Sequence, residues 1–112
     1  MTLASMTEEI RQSLNPLLRL AIPESVFSRL VSLSVRQCPV ARLAADSRGK
    51  SSVADGWYVS VERAVREEFG PLFWIFASIL IRYIIDEIIK RWNSSRLDRV
   101  FIAGWREELR VE

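Results

Sequence analysis

The chain has 112 residues, of which 49% are hydrophobic and 27% are charged, and its formal net charge is +2. This length fits one domain with its own core but is too short for a two-domain enzyme with its own cofactor fold. The sequence has no histidine and a single cysteine, Cys38, which excludes histidine-based acid–base catalysis, Cys/His zinc sites and internal disulfides. We therefore predict no active site and no cofactor, and we expect Cys38 to be a small buried residue.

The N-terminal part is divided by prolines into short helical segments. Thr7, followed by two acidic residues, predicts a capped helix start, and Pro16 and Pro23 each interrupt the chain. From Glu24 to Gln37 the apolar residues fall largely on one side of a helix. Within residues 29–36 they also alternate at the period of a strand, so a helix and a short strand both fit. The acidic start is not typical of a signal peptide, and we expect a location in the cytoplasm or within a larger assembly.

The middle of the chain has the composition of a loop. Pro39 to Ala45 predicts one or two helical turns, and residues 46–56, DSRGKSSVADG, predict a loop between two helical halves. Residues 44–51 end in Gly-Lys-Ser and fit a relaxed phosphate-binding loop. That chemistry needs a strand before the loop and a helix directly after it, and neither flank fits. Nucleotide binding is therefore a remote alternative.

The C-terminal half predicts three helices. Apolar residues recur at spacing four from Gly56 to Phe69, with Asp55 as the predicted cap, and Gly70 then marks a helix end. The longest apolar run, Pro71 to Trp92, predicts one helix of about six turns. Ser95 is expected to start the last helix. The whole pattern predicts one all-α domain over residues 1–112, with four to six helices around residues 71–92.

Polar residues on the long helix follow one narrow strip. Ser78, Arg82, Asp86 and Lys90 are spaced by four, which suits either a solvated edge or a contact with another helix. We predict that Asp86 pairs with Lys90. Glu87 is placed to pair with Arg91 in the same way. Arg82 lies among isoleucines, and we expect it to have a specific partner carboxylate.

A membrane protein is the alternative reading of the long helix. Its uncharged part spans about 16 Å at ~1.5 Å per residue, roughly half the hydrocarbon thickness of a bilayer. Extending it brings in Arg82, Asp86 and Glu87, which nearly cancel the apolar gain. Basic residues near Trp92 could touch phosphates, but acidic neighbours dilute them, and a net charge of +2 does not favour nucleic acid.

The amount of apolar surface predicts association. A long helix that is apolar on most sides, together with four tryptophans, offers more apolar surface than short N-terminal helices readily cover. We expect a non-catalytic structural or assembly protein that self-associates or docks into a larger complex through helix–helix contacts. A small membrane-embedded or membrane-attached protein is the alternative. The predicted interface residues are Phe73, Trp74, Phe76, Leu80, Arg82, Tyr83, Asp86, Trp92, Phe101 and Trp105.

Overall fold

The computed structural model describes residues 1–45 and 50–110. Over these residues the chain forms only helices, which confirms the all-α prediction. They are α1 (Leu3–Gln12), α2 (Pro16–Ala21), α3 (Glu24–Arg36), α4 (Val40–Ala45), α5 (Lys50–Phe69), α6 (Pro71–Asn93) and α7 (Arg99–Arg110). These seven helices exceed the predicted four to six by one, because the N-terminal half alone forms four.

Helix α3 lies at the centre of the fold and resolves the ambiguity at residues 29–36. Phe27, Leu30, Val31 and Ser34 are all buried at the spacing of one helical face. Leu33 is buried as well, on a second face. Because α3 packs against α1, α5, α6 and α7, apolar residues on several of its sides are covered. The strand-like alternation therefore comes from a helix that is buried on more than one face.

Helix α5 begins at Lys50, so the predicted loop at 46–56 is wrong for its second half. Asp55 and Gly56 lie inside this helix, and Asp55 is not its cap. Val53 and Trp57 are buried one turn apart, at 4% and 1% exposure. Their burial favours helix over the loop preference of the local sequence. Residues 46–49 lie outside the described residues.

Two other predicted helix starts are also displaced. Thr2 caps α1 in place of Thr7, because its hydroxyl accepts from the backbone N–H of Ser5 at 3.0 Å in a capping box. Asp98 caps α7 in place of Ser95, since it accepts from the N–H of Val100 at 2.9 Å. Ser95 has a φ of 62° in the preceding turn.

A sharp corner joins α5 to α6, as Gly70 and Pro71 predict. Gly70 has a φ of 89° and a ψ of 166°, and Pro71 opens α6 where its missing N–H is not needed. Helix α6 packs mainly against α5 and α3. Its inner face carries four isoleucines that are at most 1% exposed, and this face forms much of the core. They are Ile81, Ile84, Ile85 and Ile88.

Two arginines connect the C-terminal ends of α3 and α7 by donating hydrogen bonds to backbone carbonyls. Arg36 of α3 donates from Nη2 to the carbonyl oxygen of Leu109 at 2.6 Å. Arg106 of α7 donates from Nε to the carbonyl oxygen of Val35 at 3.3 Å and from Nη2 to that of Cys38. Carbonyls at a helix C-terminus lack partners within the helix, and guanidinium groups satisfy them here in both directions.

Candidate interaction surface

The outer face of the first half of α6 is apolar and open to solvent. Leu72, Ile75, Phe76 and Ile79 are between 66% and 77% exposed. Their positions i, i+3, i+4 and i+7 place them along one side of the helix, and we call them the α6 stripe. In an ordinary globular helix a stripe of this kind faces the core. Here the core lies on the other side of α6, so the stripe is a second apolar face.

Helix α2 adds three more exposed leucines. Leu17, Leu18 and Leu20 are 77%, 45% and 84% exposed. None of the six residues of α2, all of which the structure describes, is buried. The helix is started by Asn15, whose side chain accepts from the N–H of Leu17 at 2.9 Å, and by Pro16. A helix this short is not stable through its own hydrogen bonds, so cover over its leucines would stabilise it.

A groove of about 710 Å³ connects the two elements. Its twelve lining residues come from α2, the turn that follows it, the first half of α3 and the first half of α6, and all of them are apolar. Leu18 lies on one wall, and Ile75, Phe76 and Ile79 lie on the other. The α6 stripe, Leu18 and the groove therefore form one continuous area, which we call the α2/α6 surface, whereas Leu17 and Leu20 do not line the groove.

Three of the predicted interface residues belong to this area. Phe76 is 77% exposed and lies on the α6 stripe. Phe73, which is half-buried, and Leu80, which is only 8% exposed, form part of the groove wall. Leu18, Leu72, Ile75 and Ile79 were not among the predicted residues.

The other predicted aromatic residues pack within the chain. Trp74 and Trp105 are buried in the core, at 7% and 4% exposure. Trp92 and Phe101 are half-buried and pack against it. Tyr83 is also half-buried, and its hydroxyl forms a hydrogen bond with that of a serine at the end of α1. These five side chains stabilise the fold and present little surface to a partner.

The polar strip of α6 lies at its solvated edge. Ser78 is half-buried, whereas Arg82, Asp86 and Lys90 are exposed. Arg82 has the partner carboxylate that its position predicts, since its Nη1 lies 3.1 Å from Oδ1 of Asp55 on α5. Its guanidinium also lies over the ring of Tyr58, 4.2 Å from the ring centroid. These contacts lie between α5 and α6, within the chain.

The acid–base pairs of α6 follow the prediction only in part. Glu87 pairs with Arg91 at 3.5 Å, as its spacing predicts. The predicted pair of Asp86 with Lys90 is replaced, because Lys90 Nζ lies 2.9 Å from Glu87 Oε2. Glu87 is buried, and a buried carboxylate needs more partners than an exposed one such as Asp86.

The remaining chemical motifs do not form a site in the part of the chain that the structure describes. Half of the segment 44–51 falls at 46–49, outside the described residues. The prediction that no helix follows it is wrong, because α5 begins at Lys50, but α4 precedes it where the motif follows a strand. Two of the basic residues near Trp92 are paired, since Glu9 accepts from Arg96 at 2.9 Å and lies 3.5 Å from Arg91. Over residues 1–45 and 50–110, no helix combines the length and hydropathy needed to cross a bilayer.

Comparison of the chain with protein-family models, with curated proteins and with solved structures gave no significant match.

Proposed function

We propose that this protein is a non-catalytic assembly protein that binds a protein partner through the α2/α6 surface. The observation that carries the proposal is the α6 stripe, four large apolar side chains in a row that are each at least 66% exposed. Single exposed apolar residues are ordinary on a protein surface. A continuous apolar area larger than a few hundred Å² marks a place where something binds.

The size of the surface supports a protein partner. The exposed side chains of the stripe and Leu18 amount to about three and a half fully exposed ones, or roughly 600 Å². Covering that area with a partner face of similar size buries about 1,200 Å² in total, worth about 30 kcal/mol before costs at ~25 cal/mol per Å². Association costs on the order of 4–15 kcal/mol in lost translational and rotational freedom, with further losses from side-chain ordering. A stable complex is therefore within reach of this surface alone.

The chemistry of the groove favours a helix face over a small molecule as its occupant. Its volume is in the range of small-ligand sites, which usually carry a few polar groups that orient the ligand. All twelve described lining residues are apolar, so the groove can recognise a ligand only by its shape and its apolar area. The apolar face of an amphipathic helix provides both.

The test compares two charge substitutions of equal exposure. Phe76→Asp places a carboxylate on the α6 stripe, and Val100→Asp places one on α7, where Val100 is also 77% exposed but does not line the groove. Sedimentation velocity in detergent-free buffer should show the wild type and Val100→Asp in a complex larger than 12.9 kDa, formed either by the chain alone or with a protein recovered in fixed stoichiometry. Phe76→Asp should be a folded monomer, since burying an unpaired carboxylate is costly.

Two results would contradict the proposal. One is a monomeric wild type that recruits no protein in fixed stoichiometry through this surface. The other is flotation of the wild type, but not of Phe76→Asp, with phosphatidylcholine vesicles, which would assign the surface to a membrane.

A further inference from the structure

We infer that the occupant of the α2/α6 surface is a second copy of this chain, held in a two-fold contact in which each α6 stripe enters the groove of the other copy. This inference rests on the proposed function and adds the identity of the partner. Three features of the surface support it.

The first feature is area. Specific, stable interfaces bury about 1,200–2,000 Å² in total. The exposed side chains of the α2/α6 surface supply roughly 600 Å² on one copy. Two such surfaces placed face to face therefore reach the lower end of this range.

The second feature is self-complementary shape. In a two-fold contact the same patch must offer both a projecting and a receiving part, because each residue pair occurs twice. The stripe is a ridge, with Phe76 and Ile79 exposed by 77% and 75%. The groove lies directly beside it, between α6 and α2. If the two copies meet with their α6 helices antiparallel, the ridge of each copy enters the groove of the other. The α6 helix of each copy then lies between the α2 and the α6 helix of its partner.

The third feature is charge. A charged patch would meet its own charge across a two-fold axis, which opposes self-association. The described residues lining the groove are all apolar, and so are the exposed side chains of the stripe. Arg19 is the charged residue of α2, and its Nη1 donates to the side chain and backbone of Gln12 at 2.7 and 3.2 Å. These hydrogen bonds hold the charge against α1.

Sedimentation equilibrium of the purified chain with no other protein tests the inference. We expect a reversible dimer of twice 12.9 kDa. Phe76→Asp should weaken dimerisation by about 100-fold or more, as for a residue at the centre of an interface, and Val100→Asp should change it by less than about twofold. Ile79→Ser is a milder second variant, and the circular dichroism of each variant shows whether its fold is retained.

Single cysteines give an independent test of the two-fold geometry. Leu72, Ile75, Phe76 and Ile79 are each replaced by cysteine, while the native Cys38 is buried and out of reach. Around a two-fold axis a residue meets its own copy only near the axis, so oxidation should cross-link one or two neighbouring positions rapidly and the others slowly.

The outcomes separate this inference from the proposed function. The wild type could stay monomeric at about 100 μM and bind another protein through a contact that Phe76→Asp abolishes. That result would overturn the inference that the partner is a second copy, and it would leave the proposed assembly function intact. Trimers or open chains overturn the two-fold arrangement, as does equal cross-linking at all four positions. A monomer that binds no protein overturns both.

Discussion

Glu87 and Arg91 form an ion pair one turn apart on α6, with 3.5 Å between Oε1 and Nη1 and side chains that are only 9% and 10% exposed. Lys90 approaches the other oxygen of Glu87 at 2.9 Å, and Arg91 also reaches Glu9 of α1 at 3.5 Å. Burial raises the pKa of Glu87, but the hydrogen bond from Lys90 and the charge of Arg91 outweigh it, so that the pKa lies below its usual 4.5. The pair joins α1 to the second half of α6.

Glu87→Gln should lower the free energy of unfolding at pH 7 by about 1–3 kcal/mol, because the buried Arg91 then keeps Glu9 as its charged partner but loses the charge of Glu87. It should also reduce the loss of stability in acid. A carboxylate with a lowered pKa stabilises the fold above its unfolded pKa, and that contribution disappears as the pH falls below about 4.5 through the folded pKa. Urea unfolding between pH 7 and pH 3 measures both effects.

The matched control for Glu87 is Glu107→Gln. Glu107 also pairs with an arginine, Arg110, but both of these side chains are about three-quarters exposed. We expect this variant to change stability by less than about 0.5 kcal/mol at either pH. If the two variants had the same pH dependence, burial of the Glu87 pair would be irrelevant to acid unfolding.

Arg82 should contribute less to stability than its apolar sequence neighbours suggest. Its side chain is 48% exposed and that of Asp55 is 71% exposed, so solvent screens the ion pair. The contact with the ring of Tyr58 adds about 0.5–1 kcal/mol. We expect Arg82→Ala to cost about 1 kcal/mol and the coupling between Arg82 and Asp55 to stay below that in a double-mutant cycle. A coupling above about 2 kcal/mol would show that the pair is desolvated.

Gly70→Ala should destabilise the fold by about 1–3 kcal/mol through backbone conformation alone. A Cβ placed on Gly70 meets no described atom within 4 Å, so steric overlap with neighbours is not the cause. The combination of φ 89° and ψ 166° is open almost only to glycine, and Gly70→Asn should therefore give no rescue.

Gly104 provides a control of opposite sign. It lies inside α7, and an added Cβ there also meets no described atom within 4 Å. Gly104→Ala should stabilise the fold by about 0.5–1 kcal/mol, because alanine loses less backbone entropy in a helix. Unfolding midpoints in urea compare Gly70→Ala with Gly104→Ala directly. A neutral Gly70→Ala would mean that the corner can be remade with an ordinary backbone conformation.

The fold was predictable where the signals are local. Pro16 opens α2, and Gly70 with Pro71 closes α5 and opens α6, since these residues limit the backbone whatever surrounds them. The start of α5 was not predictable in this way. Burial of Val53 and Trp57 depends on the position of distant helices, and it outweighs the loop preference of the sequence before Gly56.

The interaction surface was less predictable than the fold. Trp74 and Phe76 are two positions apart on a helix that is apolar on nearly every side, yet they are 7% and 77% exposed. The periodicity of such a helix does not indicate which face the neighbouring helices cover. The size of the aromatic residues favours them as interface residues in the sequence, whereas the open face consists mostly of leucine and isoleucine. The exposure of α2 depends in the same way on what packs over it.

Arg106 of α7 donates a hydrogen bond to the backbone carbonyl of Cys38. The reactivity of the Cys38 thiol can therefore report how often this end of the molecule opens. The residue is 3% exposed, and burial raises the pKa of the thiol to about 12, although the charge of Arg106 lowers it slightly. A thiol reagent can therefore label the native chain only after the residues that cover Cys38 have moved away. When closing is faster than labelling, the labelling rate reports the free energy of that local opening, separately from global unfolding.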